Sequence, residues 1–164
     1  MHQVVRQYAQ TRLGADADRR ARDHHLCYYR GLAEEVARRL HTGSERVWLD
    51  RLESDHDNLQ AAWSHGLRHA ELLDECLALG AALLGFWETR GLAVEAKAFY
   101  EQAVSVARAA GSSVQVARAL CGAAVAGMAQ GDSRGRAYLD ESCSLFRQAG
   151  ALCDLSKALQ YAAR

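Results

Sequence analysis

Apolar residues recur every three or four positions along most of the chain, which is the spacing of one face of an α-helix. The clearest case is the segment Asp18–Leu40, where apolar side chains return at this spacing from Leu26 onwards. Strict alternation of apolar and polar residues, which would indicate β-strands, is absent from the sequence. The pattern therefore predicts an all-α fold.

The same spacing predicts about eight helices joined by short turns. They span Met1–Leu13, Asp18–Leu40, Ser44–His69, Glu71–Arg90, Ala93–Ala110, Val114–Gln130, Arg134–Ala149 and Cys153–Arg164. We expect Gly14–Asp18 to interrupt the first two, and a break near Ser54-Asp55 because both residue types favour helix caps. The chain contains no proline, so its turns must depend on glycine and short polar stretches, with Gly91 predicted to end the helix before it.

The second half of the chain repeats itself with a shift of 39 residues. Ala96–Gly111 (AKAFYEQAVSVARAAG) then lies over Gly135–Gly150 (GRAYLDESCSLFRQAG). A third copy starts in the final helix and stops at Arg164, which predicts that the chain is a fragment of a longer protein. A period of this size is typical of stacked units that cannot bury their apolar faces alone. We therefore expect antiparallel helix hairpins packed side by side, with self-association through the exposed end of the last one.

Charge and composition narrow the range of partners. The 20 Lys and Arg residues balance the 20 Asp and Glu residues, which argues against nucleic acid or an anionic membrane as a direct partner. The longest apolar run, Leu77–Trp87, has 11 residues and is too short to span a bilayer. The five cysteines form no CxxC pair, and Met1–Leu13 lacks the features of a signal peptide. These features favour reduced thiols and a cytoplasmic location.

Three stretches in the first 65 residues resemble one known passage. They are HQVVRQYAQTRL at His2–Leu13, HHLCYYRGLAEE at His24–Glu35 and WLDRLESDHDNLQAAW at Trp48–Trp63. Together they resemble the junction in bacterial STAND NTPase transcription regulators, including relatives of the AfsR-like and LuxR-like activators. In that family a winged helix is followed by a helical linker with an "EHDNLRAAL"-like string, which here is SDHDNLQAA at Ser54–Ala62. In the family, tetratricopeptide-like repeats follow this linker. After the Gly91 turn, the side chains of this chain follow the order small, large, small, which resembles those repeats.

The resemblance implies a division of the chain and a function. Residues 1–13 would end a winged-helix-like segment, 14–70 would form a helical linker bundle, and 71–164 would form tetratricopeptide-like repeats stacked as a right-handed superhelix. The chain would be the non-catalytic region that senses an effector or contacts another protein, without a cofactor or a metal. Its partner would be a protein or peptide, including the parent protein's own NTPase domain, or a small effector.

Two other functions remain open. A stand-alone tetratricopeptide-like scaffold protein, unconnected with transcription, would have the same architecture. An α-helical hydrolase or metal enzyme would need a site that the sequence does not display. The sequence contains neither the GxxxxGK[ST] pattern of a P-loop nor a helix-turn-helix pair with a basic recognition helix.

In tetratricopeptide-like arrays the first helix of each hairpin lines a concave surface. The repeat register assigns seven residues to that surface, with side chains suited to holding an extended peptide or a helix. They are Glu88, Thr89, Arg118, Cys121, Met128, Lys157 and Gln160. The alternative is that this surface packs against further repeats or another domain.

A polar cluster at Asp55, His56, Asp57 and Asn58 is the richest in the sequence. His56 lies on the apolar seam of its helix, so we expect a buried ring that bonds a backbone or carboxylate group and fixes the linker against the first repeat. The alternative of His56 as a catalytic base lacks a nearby nucleophile.

His65 and His69 are spaced to hold one metal ion, but no third ligand is implied. The preferred interpretation is therefore two solvated histidines.

Overall fold

The computed structural model of the chain describes residues 14–40, 45–110 and 112–163. These residues form eight α-helices and one 3₁₀ turn, Ala70–Leu72, without a β-strand. The helices are α1 Ala15–Arg39, α2 Glu45–Ser54, α3 His56–Leu67, α4 Leu73–Arg90, α5 Ala93–Ala110, α6 Ser113–Met128, α7 Arg134–Ala149 and α8 Leu152–Ala162. The all-α prediction is confirmed for this part of the chain. The helix predicted over Met1–Leu13 lies outside the described residues.

The observed helix boundaries agree closely with the predicted ones in the second half of the chain and less closely in the first half. The predicted break over Gly14–Asp18 is wrong beyond Gly14, because α1 already begins at Ala15. Acidic residues at Asp16 and Asp18 suit the first turn of a helix, where the backbone N–H groups are unpaired and the dipole favours negative charge. The break at Ser54-Asp55 is confirmed, since the Asp55 carbonyl accepts the first hydrogen bonds of α3 from Asn58 and Leu59.

From α4 onwards, the alternate helices α4, α6 and α8 contact each other in turn. α6 packs against α5 and α7, its neighbours in sequence, and also contacts α4 and α8. α4 in turn contacts α1, α3 and α5. Helices α1, α4, α6 and α8 therefore form one layer, and α5 and α7 cover its second side. Within the described residues, no helix combines the length and the hydropathy that a membrane span requires.

Two hydrophobic clusters hold these layers together. The larger cluster extends from α1 to α6 and contains most of the buried aromatic residues. The smaller one joins α6, α7 and α8. Its buried members are Ala117, Ala124, Leu139, Cys143, Phe146 and Ala158. The two clusters meet at α6, which contributes buried residues to both.

Small residues lie where the sequence repeat places them. Ala96, Ala103, Gly135 and Ser142 are all buried. A Cβ atom at Gly135 would lie 2.6 Å from Cγ of Met128 and 3.2 Å from the carbonyl oxygen of Ala124. Ser142 Oγ donates a 2.7 Å hydrogen bond to the Ala117 carbonyl of the facing helix. These positions are small because α5 and α7 approach their neighbours too closely for larger side chains.

Two equivalent turns require glycine. Gly91 and Gly150 follow α4 and α7 with φ of 70° and 68°, in the left-handed region that glycine adopts without strain. At the first turn the Leu92 N–H bonds the Trp87 carbonyl at 2.8 Å, and at the second the Ala151 N–H bonds the Phe146 carbonyl at 3.0 Å. This arrangement satisfies the last carbonyls of each helix, and it confirms the predicted helix end at Gly91.

An ionic network fastens α5 to the start of α7. The Asp132 carboxylate lies 2.6 Å from Lys97 Nζ and 3.0 Å from Arg134 Nη2, and it accepts the Arg134 backbone N–H at 2.9 Å. The hydrogen bonds from Arg134 and Lys97 hold the pKa of the Asp132 carboxyl well below its usual range. The charged form is therefore the one that the folded chain favours.

We expect Asp132→Asn to lower the melting temperature at pH 7 by a small amount. Because the folded-state pKa is depressed, the stabilisation is present above the unfolded value of about 4 and is lost as the pH falls below it. Asparagine can still accept the Arg134 N–H, so the change mainly removes the charge. Calorimetric melts of the unaltered protein and of Asp132→Asn from pH 7 to pH 2 should show the difference in melting temperature shrinking below about pH 4. Asp140→Asn, which removes an exposed charge on α7, is the control. A melting temperature of Asp132→Asn that stays below that of the unaltered protein by the same amount at pH 2 would contradict the prediction.

Candidate functional site

A groove of about 440 Å³ runs between α4 and α6. Its apolar floor consists of Ala81, Leu84 and Gly85 from α4 with Val125 and Ala129 from α6. The end of α1 closes one side through Ala37 and Leu40, and Tyr161 of α8 contributes to the lining. Small side chains at three- and four-residue steps leave this space, because they cannot fill the gap between two adjacent helices. We call it the α4–α6 groove.

Two of the seven residues assigned to a concave surface line this groove. Glu88 supplies a charged side chain at its α4 side, and Met128 supplies a half-exposed thioether at its α6 side. Methionine adapts its shape easily and is common at binding surfaces that accept varied partners. Two residues that the repeat register assigned to a concave surface therefore lie in the α4–α6 groove, while their role in binding stays a prediction.

The other five assigned residues do not line the groove. Arg118 bonds Asp74 of α4 at 3.2 Å and Asp154 of α8 at 2.9 Å, and the hydrogen bond that it donates to the Asp154 carboxylate raises the pKa of its guanidinium. It therefore cross-links three helices of one layer. Thr89 Oγ donates a 2.7 Å hydrogen bond to the Gly85 carbonyl of its own helix.

The remaining three are distributed along α6 and α8. Cys121 packs against the smaller hydrophobic cluster, and burial raises the pKa of its thiol to about 11. Lys157 and Gln160 are exposed on α8, outside the groove lining. A raised pKa keeps the Cys121 thiol protonated at neutral pH and so argues against a reactive cysteine.

The polar cluster joins α1 to the break between α2 and α3. Asp55 Oδ1 lies 3.2 Å from the Tyr29 hydroxyl and 3.1 Å from Asn58 Nδ2, and both groups donate to it. Burial, together with the nearby Asp55 charge, raises the pKa of Tyr29 to about 12. Asp57 is exposed. The cluster is thus built around Asp55, which stabilises the junction of three helices.

The expectation of a buried His56 is wrong. Its side chain is 34% exposed, and Nε2 lies 3.3 Å from Glu95 Oε1 on α5 and 3.2 Å from Gln60 Nε2. The carboxylate contact that was expected does occur, between α3 and α5, the first helix of the repeated segment. The helix break at Asp55 directly precedes His56, so His56 is the first residue of α3 and is not buried with Leu52 and Leu59 in the core.

The histidine that the fold buries is His65, which the sequence indicated as solvated. Its side chain is nearly fully buried, and Nε2 lies 2.7 Å from Asp23 Oδ1 on α1. The adjacent Gly66 lies against Cys76 and Leu26 with no room for a Cβ. Gly66, in the last turn of α3, was the available signal that three helices meet closely at this point.

Asp23→Ala should destabilise the fold by about 1–3 kcal/mol, because it leaves a ring nitrogen of the buried His65 without a partner. Asp23→Asn keeps an acceptor oxygen in place and should cost less. Urea unfolding followed by circular dichroism at constant pH measures both free energies. An Asp23→Ala protein as stable as the unaltered chain would show that His65 gains nothing from this contact.

His65 and His69 do lie close together, with ring centroids 4.7 Å apart. Nevertheless, the part of the chain covered by the structure holds no group of three or more His, Cys, Asp or Glu residues that could bind a metal ion. The buried pair of His65 and Asp23 instead has a structural explanation, since it joins α3 to α1.

Comparisons with known proteins leave the chain without an assigned relative. No protein-family model matches it, and neither the curated protein sequences nor the solved structures give a significant match. The function must therefore be argued from the groove, the cavities and the residues that line them.

Proposed function

We propose that this chain is the non-catalytic, protein-interaction or effector-sensing helical-repeat region of a cytoplasmic bacterial regulator of transcription. The observation that carries the proposal is the α4–α6 groove. It lies between two alternate helices of one layer, has an apolar floor, and is open enough to receive a segment of another protein. A groove of this kind binds through shape and apolar contact rather than through reactive groups.

The groove fits a partner segment that carries one bulky apolar residue. Its volume exceeds that of a single side chain, and its floor offers alanine, leucine and valine carbons without a buried charge. Glu88 lies at its edge, so a basic residue beside the apolar anchor would add a favourable charge contact. An amphipathic helix or an extended peptide can present both features.

The resemblance to STAND NTPase regulators supplies the wider setting. In that setting the hairpins α4–α5 and α6–α7 are tetratricopeptide-like repeats of a right-handed superhelix, and α1 to α3 form the linker. The groove holds a segment of the parent protein's NTPase domain or of a partner, and an effector shifts the population between bound and released states. The contacts between alternate helices and the equivalent glycine turns support this arrangement.

The alternative function is a stand-alone scaffold of the same architecture. The gene around this sequence distinguishes the two. A P-loop and a winged helix encoded in the same reading frame before residue 1 support the regulator. A reading frame without them favours the scaffold.

We predict that Val125→Glu will weaken peptide binding by the groove. A charge in the apolar floor must be desolvated when a partner binds, which should weaken affinity at least about tenfold. The experiment is selection of displayed random peptides on the unaltered protein, followed by titration of the selected peptides by calorimetry. Val94→Glu is the matched control, because Val94 is 73% exposed on α5 and lies outside the groove.

Comparing Val125→Glu with Val94→Glu shows whether the selected peptides bind in the groove. Selected peptides that bind the unaltered protein and Val94→Glu, but not Val125→Glu, support the groove as the interaction site. Peptides that bind all three proteins equally would place the interaction elsewhere, and a selection that enriches no peptide would contradict the proposed groove. Circular dichroism of each variant checks that the helices are intact.

A further inference from the structure

Glu88 is the one charged residue among the described residues that line the α4–α6 groove. It is exposed at the edge of the groove, while the floor consists of alanine, glycine, leucine and valine. A single carboxylate beside apolar carbons gives the opening one charged contact. Charged contacts at the edge of an apolar site contribute to the choice of partner and to its orientation.

The position of Glu88 in its helix is unfavourable for a carboxylate. Glu88 lies in the last turn of α4, where the helix dipole favours positive charge, and no ion pair compensates it within the described parts of the chain. Asp16, Glu45 and Asp57 likewise form no ion pair among the described residues. All three occupy the first turn of a helix, where the dipole stabilises a negative charge. Glu88 has neither kind of compensation, and local rules are broken in this way mainly at functional sites.

The basic side chains in the last turns of α1 and α4 are engaged with other carboxylates. Arg90 at the end of α4 bonds two carboxylates of α2, and the two arginines at the end of α1 both bond Glu35. The last turn of α6, which lines the groove through Met128, carries no basic residue. The carboxyl ends of α4 and α6 and the charge of Glu88 therefore favour a cationic group at this end of the groove.

The spacing between the groove floor and Glu88 fits one turn of a partner helix. Gly85 and Glu88 are three residues apart on α4, which corresponds to a rise of about 4.5 Å along the helix axis. In a helix that lies along α4, residues three or four positions apart share one face and are separated by about 4.5–6 Å. A bulky apolar residue over Gly85 therefore places a residue one turn away beside the Glu88 carboxylate.

We propose that Glu88 selects the partner of the α4–α6 groove, and that this partner is a basic amphipathic helix of another protein. A bulky apolar residue of that helix enters the groove, and a lysine or arginine three or four positions away pairs with Glu88. The methylene stem of the basic side chain covers apolar surface while its charged head reaches the carboxylate. Binding of such a helix rests on the proposed interaction function, because it occupies the same groove.

The first test is a selection of displayed random peptides on the unaltered protein and on Glu88→Lys. The unaltered protein should enrich peptides with Lys or Arg three or four positions from a bulky apolar residue, and Glu88→Lys should enrich Asp or Glu at that position. Asp57→Lys changes the net charge equally but lies outside the groove, so it should select the same peptides as the unaltered protein.

Two results of this selection would overturn the proposal. The first is that no basic position is enriched on the unaltered protein, or that Glu88→Lys enriches the same peptides. The second is a basic residue two positions from the apolar one, which is the spacing on one face of an extended peptide rather than of a helix.

The second test measures the charge contact by calorimetry. The probes are the most enriched peptide and a copy in which glutamine replaces its basic residue. Glu88→Gln should bind the basic peptide roughly two- to fivefold more weakly than the unaltered protein does, and it should bind the glutamine copy equally well. Equal losses for both peptides would show that the substitution disturbs the groove itself, which would contradict a charge contact at Glu88.

A third measurement needs no partner. Glu88→Gln removes negative charge from the carboxyl end of α4 and should raise the melting temperature by about 1–4 °C. Asp57→Asn removes negative charge from the first turn of α3 and should lower it. A lower melting temperature of Glu88→Gln would show that the fold itself uses the carboxylate, against its assignment to a partner.

The selection also separates the basic helix from the proposed function. Peptides that are lost on Val125→Glu but bind Glu88→Lys unchanged would keep the groove as the interaction site and overturn the role of Glu88. A selection that enriches no peptide on the unaltered protein would contradict both.

Discussion

Gly122→Ala is expected to destabilise the protein by up to about 2 kcal/mol, although alanine is the better helix former. A Cβ atom at Gly122 would overlap three ring atoms of Tyr100. The Tyr100 side chain is 2% exposed and also lies against Gly80, so it has no space into which to retreat. Overpacking of a filled core usually costs about 1–3 kcal/mol. The gain of about 1 kcal/mol in helix propensity offsets part of this cost.

The matched control is the same substitution at an exposed glycine. Gly31 lies in the middle of α1, and an added Cβ there would meet no heavy atom within 4 Å of it in the described parts of the chain. Gly31→Ala should therefore stabilise the protein by about 0.5–1 kcal/mol. Urea unfolding followed by circular dichroism measures both variants. If Gly122→Ala were neutral or stabilising, the close contact between α5 and α6 would not exist in solution.

Phe146→Ala is expected to cost about 3–5 kcal/mol, with the loss confined largely to one end of the fold. Phe146 is 1% exposed in the smaller cluster, which joins α7 and α8 to α6. In arrays whose units contact only their neighbours, stability is roughly a sum of local terms. Hydrogen exchange should therefore show α7 and α8 losing protection while α1 and α4 keep theirs.

Two further variants serve as comparisons for the loss of protection in Phe146→Ala. Phe86→Ala removes a ring from the larger cluster and should reduce protection from α1 to α6. Leu152→Ala alters a side chain that is 72% exposed and should change stability by less than about 0.5 kcal/mol. A uniform loss of protection in Phe146→Ala would indicate a single cooperative unit and would contradict repeat-like packing.

The helices were predictable because their signals are local. Without proline, and with apolar residues at helical spacing, the limits of α5 and α7 agree with the sequence residue for residue. The start of α1 was not predictable in this way. An Asp-rich stretch suits both a turn and the first turn of a helix, and here Arg22 bonds Asp18 at 2.9 Å within the helix.

The candidate site was harder to predict because it depends on the space between helices. The sequence directs attention to large and charged residues, such as Arg118 and Lys157, whereas the groove exists because Ala81, Gly85 and Ala129 are small. Likewise, His65 is buried by its contact with Asp23, 42 positions earlier in the chain. Neither feature has a signature within one helix, since both arise only when neighbouring helices are in place.

Trp87 lines both the α4–α6 groove and a smaller pocket of about 170 Å³ among α3, α4 and α5. One indole ring thus serves as a common wall of the two openings. Two ligands that prefer different positions of this ring must oppose each other's binding, and two that prefer the same position must assist it. Thermodynamics requires the effect to be reciprocal, with the same factor in each direction.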